Sequence, residues 1–487
     1  MARKLFKDLV STGGMFFIVT IIGAITGILF PRLLGRDQWG LWSITIGLVG
    51  LLSPLAQMAM STTLTTFISK YKDKTEKLSS YVSSAYLLAI LSSSLVGLAL
   101  IISSGYLSES VFDDRRLKLF LLLAAGIIFF KQLNIINRDY FRGFQDFKKY
   151  NLIKLASSSS ILILTLVYLL IFSFKAIYLA ISHLTVLALF AICVLLFMFI
   201  KEEAFDLFKI PEKSVAKKVF KFGAPLIFTM TFMKMMKSID RVILGYFLDT
   251  AYVGVYSVAA GIPLMIGSMF TPIGTVLLPT LSERESKGEG SQLLLKEVFS
   301  FLLFVSIPMV IFITLFSEEI LRLIFGEGYV LGAMVLSIAS VEIFLFSSER
   351  MIGASIVASE RTFRYALGIG ISTVTNVALN FILIPSFGIE GAAVATVVSF
   401  LILFFVMLVI SKRDYRFDIL QIDIKGISIL LTTTLISGIT LVRYLKGYVS
   451  FVVTLFAFML LMLVSAELSS PIWYQQLKIH IKELFFL

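Results

Sequence analysis

Residues 176–200 read AIYLAISHLTVLALFAICVLLFMFI, twenty-five positions without a single Asp, Glu, Lys or Arg. Wound as an α-helix, the run is about 37 Å long at roughly 1.5 Å per residue. That exceeds the roughly 30 Å hydrocarbon core of a bilayer, so the segment reads as a transmembrane helix. Working outward, runs of the same kind fall at 10–31, 40–68, 80–103, 118–137, 150–173, 219–247, 251–280, 297–316, 331–348, 363–385, 389–410, 426–442 and 448–465, fourteen with the first. The 487-residue chain is 58% hydrophobic and 15% charged, with mean hydropathy +0.94. Soluble domains sit near 45–50% apolar with about a quarter charged; here lipid must be the solvent for most of the surface. The connections are turns of a few to about twenty residues, too short to hold a soluble domain. The expected fold class is an all-α polytopic membrane protein of about fourteen transmembrane helices.

The net charge is +12, yet the basic residues are scattered between the apolar runs and form no stripe, so no nucleic-acid partner is expected. They read as topology signals. With a cytoplasmic N-terminus, 29 of the 43 Lys and Arg fall in cytoplasmic segments, 9 in the opposite loops and 5 inside spans. Such a bias over short loops orients a membrane protein. Both termini, and the basic stretches Lys70–Lys77 and Lys201–Lys221, are expected on the cytoplasmic side of the cell membrane. The basic start (Arg3, Lys4, Lys7) lacks a small-residue cleavage pattern and reads as a retained first span. One cysteine, Cys193, and two histidines, His183 and His480, leave no disulfide framework, no Cys/His metal constellation and no call for a cofactor. The tail 467–487 mixes Trp473, Leu477 and Ile481 with Lys478 and Lys482, as a helix lying on the membrane surface does.

The longest polar connection, 201–218, carries Pro211 and has six spans before it and eight after. An internal echo follows this division. Arg32-Leu-Leu-Gly35 then Trp39-Gly40-Leu-Trp42-Ser43 is matched by Arg241-Val-Ile-Leu-Gly245 then Val253-Gly254-Val-Tyr256-Ser257. A second echo joins Arg142-Gly143 and Phe147-Lys148-Lys-Tyr150 to Arg350-Met-Ile-Gly353 and Phe363-Arg364-Tyr365. Two six-helix lobes related by an axis along the membrane normal account for both. The expected organisation is a lobe at 1–200, the connection at 201–218, a second lobe at 219–410, two further helices at 411–466 and the tail at 467–487.

These motifs resemble those of the polysaccharide transporter (Wzx-type) flippases. The likeness rests on Arg32-Leu-Leu-Gly35 with Trp39-Gly40-Leu-Trp42, on Asp240-Arg241, Leu244-Gly245 and Gly254-Val-Tyr256-Ser257, and on Arg142-Gly143 with Phe147-Lys148. That family belongs to the multidrug/oligosaccharidyl-lipid/polysaccharide exporter superfamily. The resemblance implies a V-shaped pair of six-helix lobes with two extra C-terminal helices. It also implies transport, with no enzyme activity: an isoprenoid-diphosphate-linked oligosaccharide moves from the cytoplasmic to the outer leaflet. The partners it implies are that lipid-linked oligosaccharide and membrane lipids, with H+ or Na+ as the candidate coupling ion and the chain acting as a monomer.

Ionisable groups inside a span cost roughly 2.5–3.5 kcal/mol each on insertion scales, so they need reasons. The seventh span holds four. Lys234, Lys237 and Arg241 follow i, i+3, i+7 and share one helical face; Asp240 can neutralise only one of them. A diphosphate is a natural counter-ion, and Arg offers it a bidentate fork; the alternative is pairing with acids on other helices. The fourth span repeats the spacing with Lys131, Asn134 and Arg138. Lys131 is a cavity candidate, whereas Arg138 stands at the cytoplasmic end, where charge is expected anyway. In the tenth span Glu342 is deep, either as the coupling site or as an ion-pair partner, while Glu349 and Arg350 mark the cytoplasmic mouth. Arg32, at the outer end of span one, contacts substrate or anchors the interface. His183 fits a helix contact as well as a proton relay. Pro263, Pro272 and Pro279 should kink span eight.

Three rival functions stand beside this one. A cation-coupled multidrug exporter of the same superfamily would stop at twelve spans and favour acidic cavity residues. A peptidoglycan lipid-precursor flippase also has fourteen spans and a basic cavity. A membrane glycosyltransferase would need a large outer loop, and the longest here, near Ser104–Arg116, offers only Asp113-Asp114.

Overall fold

The computed structural model describes residues 2–71, 75–201, 211–287, 290–359 and 361–415. The expected spans at 426–442 and 448–465, the tail 467–487 and residues 202–210 of the central connection lie outside the described residues. Among the described residues every regular element is helical. In order they are α1 (Ala2–Gln57), α2 (Met60–Tyr71), α3 (Thr75–Tyr106), α4 (Leu117–Gly143), α5 (Phe147–Ile171), α6 (Ala176–Lys201), α7 (Lys213–Phe247), α8 (Thr250–Ser268), α9 (Thr271–Ser286), α10 (Gln292–Leu315), α11 (Ser317–Phe325), α12 (Ala333–Ala339), α13 (Glu342–Ala358) and α14 (Thr362–Tyr415).

Two near-continuous helical stretches, one of them α1 with α2 and the other within α14, are too long to be single passes. Phe17–Tyr71 and Thr362–Lys412 run for 55 and 51 residues, about 80 Å each, against a core of roughly 30 Å. Each is broken where a glycine leaves the helical region: Gly35 (φ 76, ψ 166) in α1 and Gly388 (φ 58, ψ −135) in α14. A Cβ would strain either conformation, so these glycines turn the chain back into the bilayer. Two bent pairs add a pass each, Lys213–Ala224 with Leu226–Phe247 (43°) and Glu327–Ala339 with Glu342–Ala358 (41°). The pass holding three prolines, Thr250–Glu285, is interrupted between α8 and α9. By length and composition, eight helices among the described residues can cross a membrane, or ten with each bent pair counted as one pass, and the two broken long ones have length for two passes each. Ile102, Leu170 and Val409 are more than 70% exposed, as lipid-facing residues are and as core residues of a soluble domain are not.

The chain forms two compact units, Met1–Ser257 and Val258–Leu487. In the first, an apolar core at one end of α2, α3, α4 and α6 gathers Leu64, Phe67, Tyr81, Phe141 and Met198. α7 packs along the second half of α1 through small residues. Gly50 meets Ser238, Gly47 meets Arg241, and Gly40 meets Thr250 at the head of α8. Without a hydrophobic force between helices in lipid, such close backbone approach is what holds them.

Candidate functional site

That glycine seam fixes the rotation of α7, and so the direction of its charges. A Cβ at Gly47 would stand 3.2 Å from the Cβ of Arg241, and one at Gly50 2.5 Å from the Ser238 hydroxyl. Asp240 is turned inward: it is 6% exposed, and its Oδ2 accepts a hydrogen bond of 2.9 Å from the Tyr256 hydroxyl on α8. Lys234 is exposed, whereas Lys237 and Arg241 are half-buried, and Lys237 has an interaction of its own. Lys234 is crowded by protein on most sides and still reachable by water, the condition of a side chain on a cavity wall.

Lys131 on α4 reaches the same level. It lies about 21 Å along its helix from Leu117, and Lys234 about 20 Å back along α7 from Phe247. Other polar groups of α4 are committed to packing. Asn134 donates to the Leu187 carbonyl of α6 at 2.6 Å, and Asn137 donates to Ala191 of α6 at 3.0 Å while accepting from Tyr86 of α3 at 3.0 Å. His183 donates its Nδ1 proton to its own helix at Leu179 (3.2 Å) and packs its ring 4.8 Å from that of Trp42. Among the described residues, no carboxylate stands within ion-pair distance of Lys131, Lys234 or Arg241.

Arg138 lies two turns further along the Lys131 face of α4, 3.6 Å from the buried Asp139. Arg32 is exposed at the end of the first pass. Beyond it, in the turn between the first two passes, sequence reasoning missed a charged clasp. Arg116, just ahead of α4, grips Asp37 through both terminal nitrogens (2.6 and 3.0 Å), Asp114 at 2.7 Å and the Thr250 hydroxyl at 3.2 Å. Thr250 in turn donates to Asp37 at 2.6 Å. The clasp borders a cavity of about 650 Å³ lined by Phe112, Tyr246 and Asp249 among others. The guanidinium holds the Asp37 carboxyl below its ordinary range, and the two carboxylates raise Arg116 in return. Asp113-Asp114 was the only trace of it in the sequence; its partners are distant in the chain.

In the second unit, Glu342 and Glu349 stand two turns apart on α13, each 5% exposed. Glu349 accepts a 2.6 Å hydrogen bond from Tyr365 on α14 and lies 3.2 Å from its neighbour Arg350. The Arg350 guanidinium packs 4.7 Å from the Phe346 ring. A cavity of about 330 Å³ opens there, walled by Thr271, Thr275, Glu349, Arg350 and Tyr365. Gly274 allows the closeness of α9 to α13: a Cβ there would come within 2.9 Å of the Arg350 carbonyl.

Residues 5–285 match the family model described as polysaccharide biosynthesis protein. Over 163 residues the chain is 34% identical to the probable low-salt glycan biosynthesis flippase Agl15 of Haloferax volcanii, a match covering 33% of this chain and 34% of that one. It is 22% identical over 409 residues to the uncharacterized membrane protein MJ1068 of Methanocaldococcus jannaschii, covering 80% of each. Among solved structures, the lipid II flippase MurJ in an inward closed conformation aligns with a TM-score of 0.77 over 96% of this chain and 99% of that one, at 19% identity. That likeness establishes a shared helical fold.

Proposed function

The chain belongs to the polysaccharide biosynthesis protein family, and from that premise we propose that it is a flippase for an isoprenoid-diphosphate-linked oligosaccharide. Lys131, Lys234 and Arg241 carry the reading: three cations within the spans that, among the described residues, form no ion pair with a carboxylate, the buried Asp240 beside Arg241 being turned to Tyr256. An uncompensated cation in a low-dielectric setting attracts an anion far more strongly than in water, and a diphosphate supplies the missing charge. Lys237 and Arg32 extend this cationic wall, while Asp240 orients it. Glu342 is the coupling group for H+ or Na+, and Arg138, Glu349 and Arg350 stand at the cytoplasmic mouth. The lobes at 1–200 and 219–410, a cytoplasmic N- and C-terminus, a monomeric chain and passage from the cytoplasmic to the outer leaflet are parts of the same reading.

The test is complementation of a flippase-deficient strain with the Lys234→Ala/Arg241→Ala variant, membrane levels being measured in parallel. Export should be lost while the protein still reaches the membrane. Arg241→Lys should be partly active, since it keeps the charge and loses the fork. Full export by the double variant would refute the diphosphate site.

A further inference from the structure

Beyond Lys131 the same face of α4 carries two more cations. Arg138 and Arg142 lie about 10 and 16 Å further along the helix axis, where α4 ends and α5 begins. Among the described residues a single carboxylate serves both. Asp139 is 1% exposed, and its Oδ2 accepts the Ser61 hydroxyl of α2. Arg138 Nε stands 3.6 Å from Oδ1 and Arg142 Nη2 3.6 Å from Oδ2, both longer than the roughly 2.7–2.9 Å of a direct charge-assisted bond. Arg142 donates instead to Thr65 at 3.1 Å. Arg138 Nε is enclosed and, among the described residues, has no hydrogen-bond acceptor.

What holds the two guanidiniums is an aromatic frame. Their centres lie 5.0 and 6.0 Å from the ring of one residue, Tyr150 of α5. Stacking against a ring fixes the plane of a guanidinium and leaves its edge donors pointing outward. Lys154, one turn along α5, lies near enough to feel the charge of Arg138. The side chains of Arg138 and Arg142 are 24% and 34% exposed, so the pair is reachable. Two braced forks sharing one carboxylate leave an excess positive charge with fixed geometry, which a packing contact between helices does not need.

We propose that Arg138 and Arg142, framed by Tyr150 and braced by Asp139, form a second anion site that docks a diphosphate group before it moves along α4 to Lys131 and Lys234. The inference rests on the flippase reading above. It assigns the end and the middle of α4 different tasks: capture at the arginines and commitment at Lys131, alongside Lys234 of α7.

The full chain in nanodiscs of zwitterionic lipid is titrated with farnesyl diphosphate, farnesyl monophosphate and inorganic pyrophosphate. Arg138→Gln/Arg142→Gln should weaken farnesyl diphosphate binding by about tenfold or more, and in cells should raise the substrate level needed for half-maximal export with little change in the maximum. Lys131→Gln/Lys234→Gln should do the reverse, lowering maximal export. Thermal melting reports folding; if the glutamine pair does not fold, Arg138→Lys/Arg142→Lys serves, and it should bind severalfold more weakly than wild type. Wild-type affinity in either folded arginine variant overturns the proposal, whereas loss of diphosphate binding from every variant and from wild type would strike the flippase reading itself. Equal competition by added phosphatidylglycerol would make the site a general lipid-headgroup contact and overturn its selectivity for diphosphate.

Discussion

Gly254→Ala perturbs the seam by one methyl group, and its cost can be worked from the structure. A Cβ at Gly254 would collide with the Arg36 carbonyl oxygen, 2.9 Å from that carbonyl carbon and 3.0 Å from the Gly40 nitrogen. Carbon contacts settle near 3.5–4.0 Å, so the break in α1 and the head of α8 must part by roughly 1 Å. Backbone atoms cannot rotate away as a side-chain tip would. Overpacking of this kind costs about 1–3 kcal/mol, and the adjoining clasp of Asp37, Arg116 and Thr250 is stretched with it. At about 2 °C per kcal/mol for a unit of this size, melting of purified protein should fall by about 2–6 °C. Gly40→Ala, pressed against the Thr250 carbonyl from the other side, should behave alike. The double variant should cost less than the sum, since one separation relieves both clashes. An unchanged melting temperature for Gly254→Ala would refute the claim that these backbones are in contact.

Tyr256→Phe removes the donor to the buried Asp240; it should cost about 1–3 kcal/mol in thermal stability and weaken diphosphate binding, because the released carboxylate can turn to a cation. The Asp37 carboxyl, in the turn between two passes, is held below its ordinary range by Arg116. Its contribution is therefore present above the unfolded carboxylate value near about 4 and lost as pH falls through the lower folded value. Melting curves of wild type and Asp37→Asn should then differ between pH 5 and 8, by under about 1 kcal/mol given the exposure of the pair, and converge only as pH falls below the ordinary carboxylate range. Glu342→Gln should impair gradient-driven export more than substrate binding; a fall in folded protein alone would make Glu342 a structural residue.

Much of the fold was legible because lipid imposes a coarse rule: apolar length sets the passes, and lysines and arginines mark the connections. The return of α1 is written as Gly35, inside a motif that repetition singles out, whereas Gly388 of α14 belongs to no such motif. The helix faces were legible too, since Lys234, Lys237 and Arg241 keep helical spacing. What the sequence could not show is which polar groups are committed elsewhere. Asn134 shares the spacing of Lys131 and Arg138, yet its amide is bonded to Leu187 of α6. Tyr256 stood in a quoted motif without a visible role, because its partner Asp240 is 16 residues away on the preceding helix. The clasp at Arg116 joins residues from three separate connections, and no local pattern announces such a meeting.

One regularity unites three of the four buried acids among the described residues, Glu342 standing apart. Arg138-Asp139, Asp240-Arg241 and Glu349-Arg350 are adjacent pairs of opposite charge, each on a membrane helix. Neighbours on a helix point about 100° apart, so such a pair cannot face one direction. In every case the acid turns into the helix packing and accepts a hydroxyl hydrogen bond from another helix: Ser61 to Asp139, Tyr256 to Asp240, Tyr365 to Glu349. The arginine is left half-buried on an adjoining face. A buried carboxylate with a hydroxyl donor is far less costly than one without, and once fixed it lowers the cost of the neighbouring cation without covering it. The acid thus makes the arginine tolerable in the membrane while leaving its donors for something else. Exchanging the two residues, as in Asp240→Arg with Arg241→Asp, keeps the net charge and should still abolish export, because the carboxylate would then face the cavity and the guanidinium would meet the Tyr256 hydroxyl. Retained export in that variant would mean that net charge alone, and not its direction, is what the helix supplies.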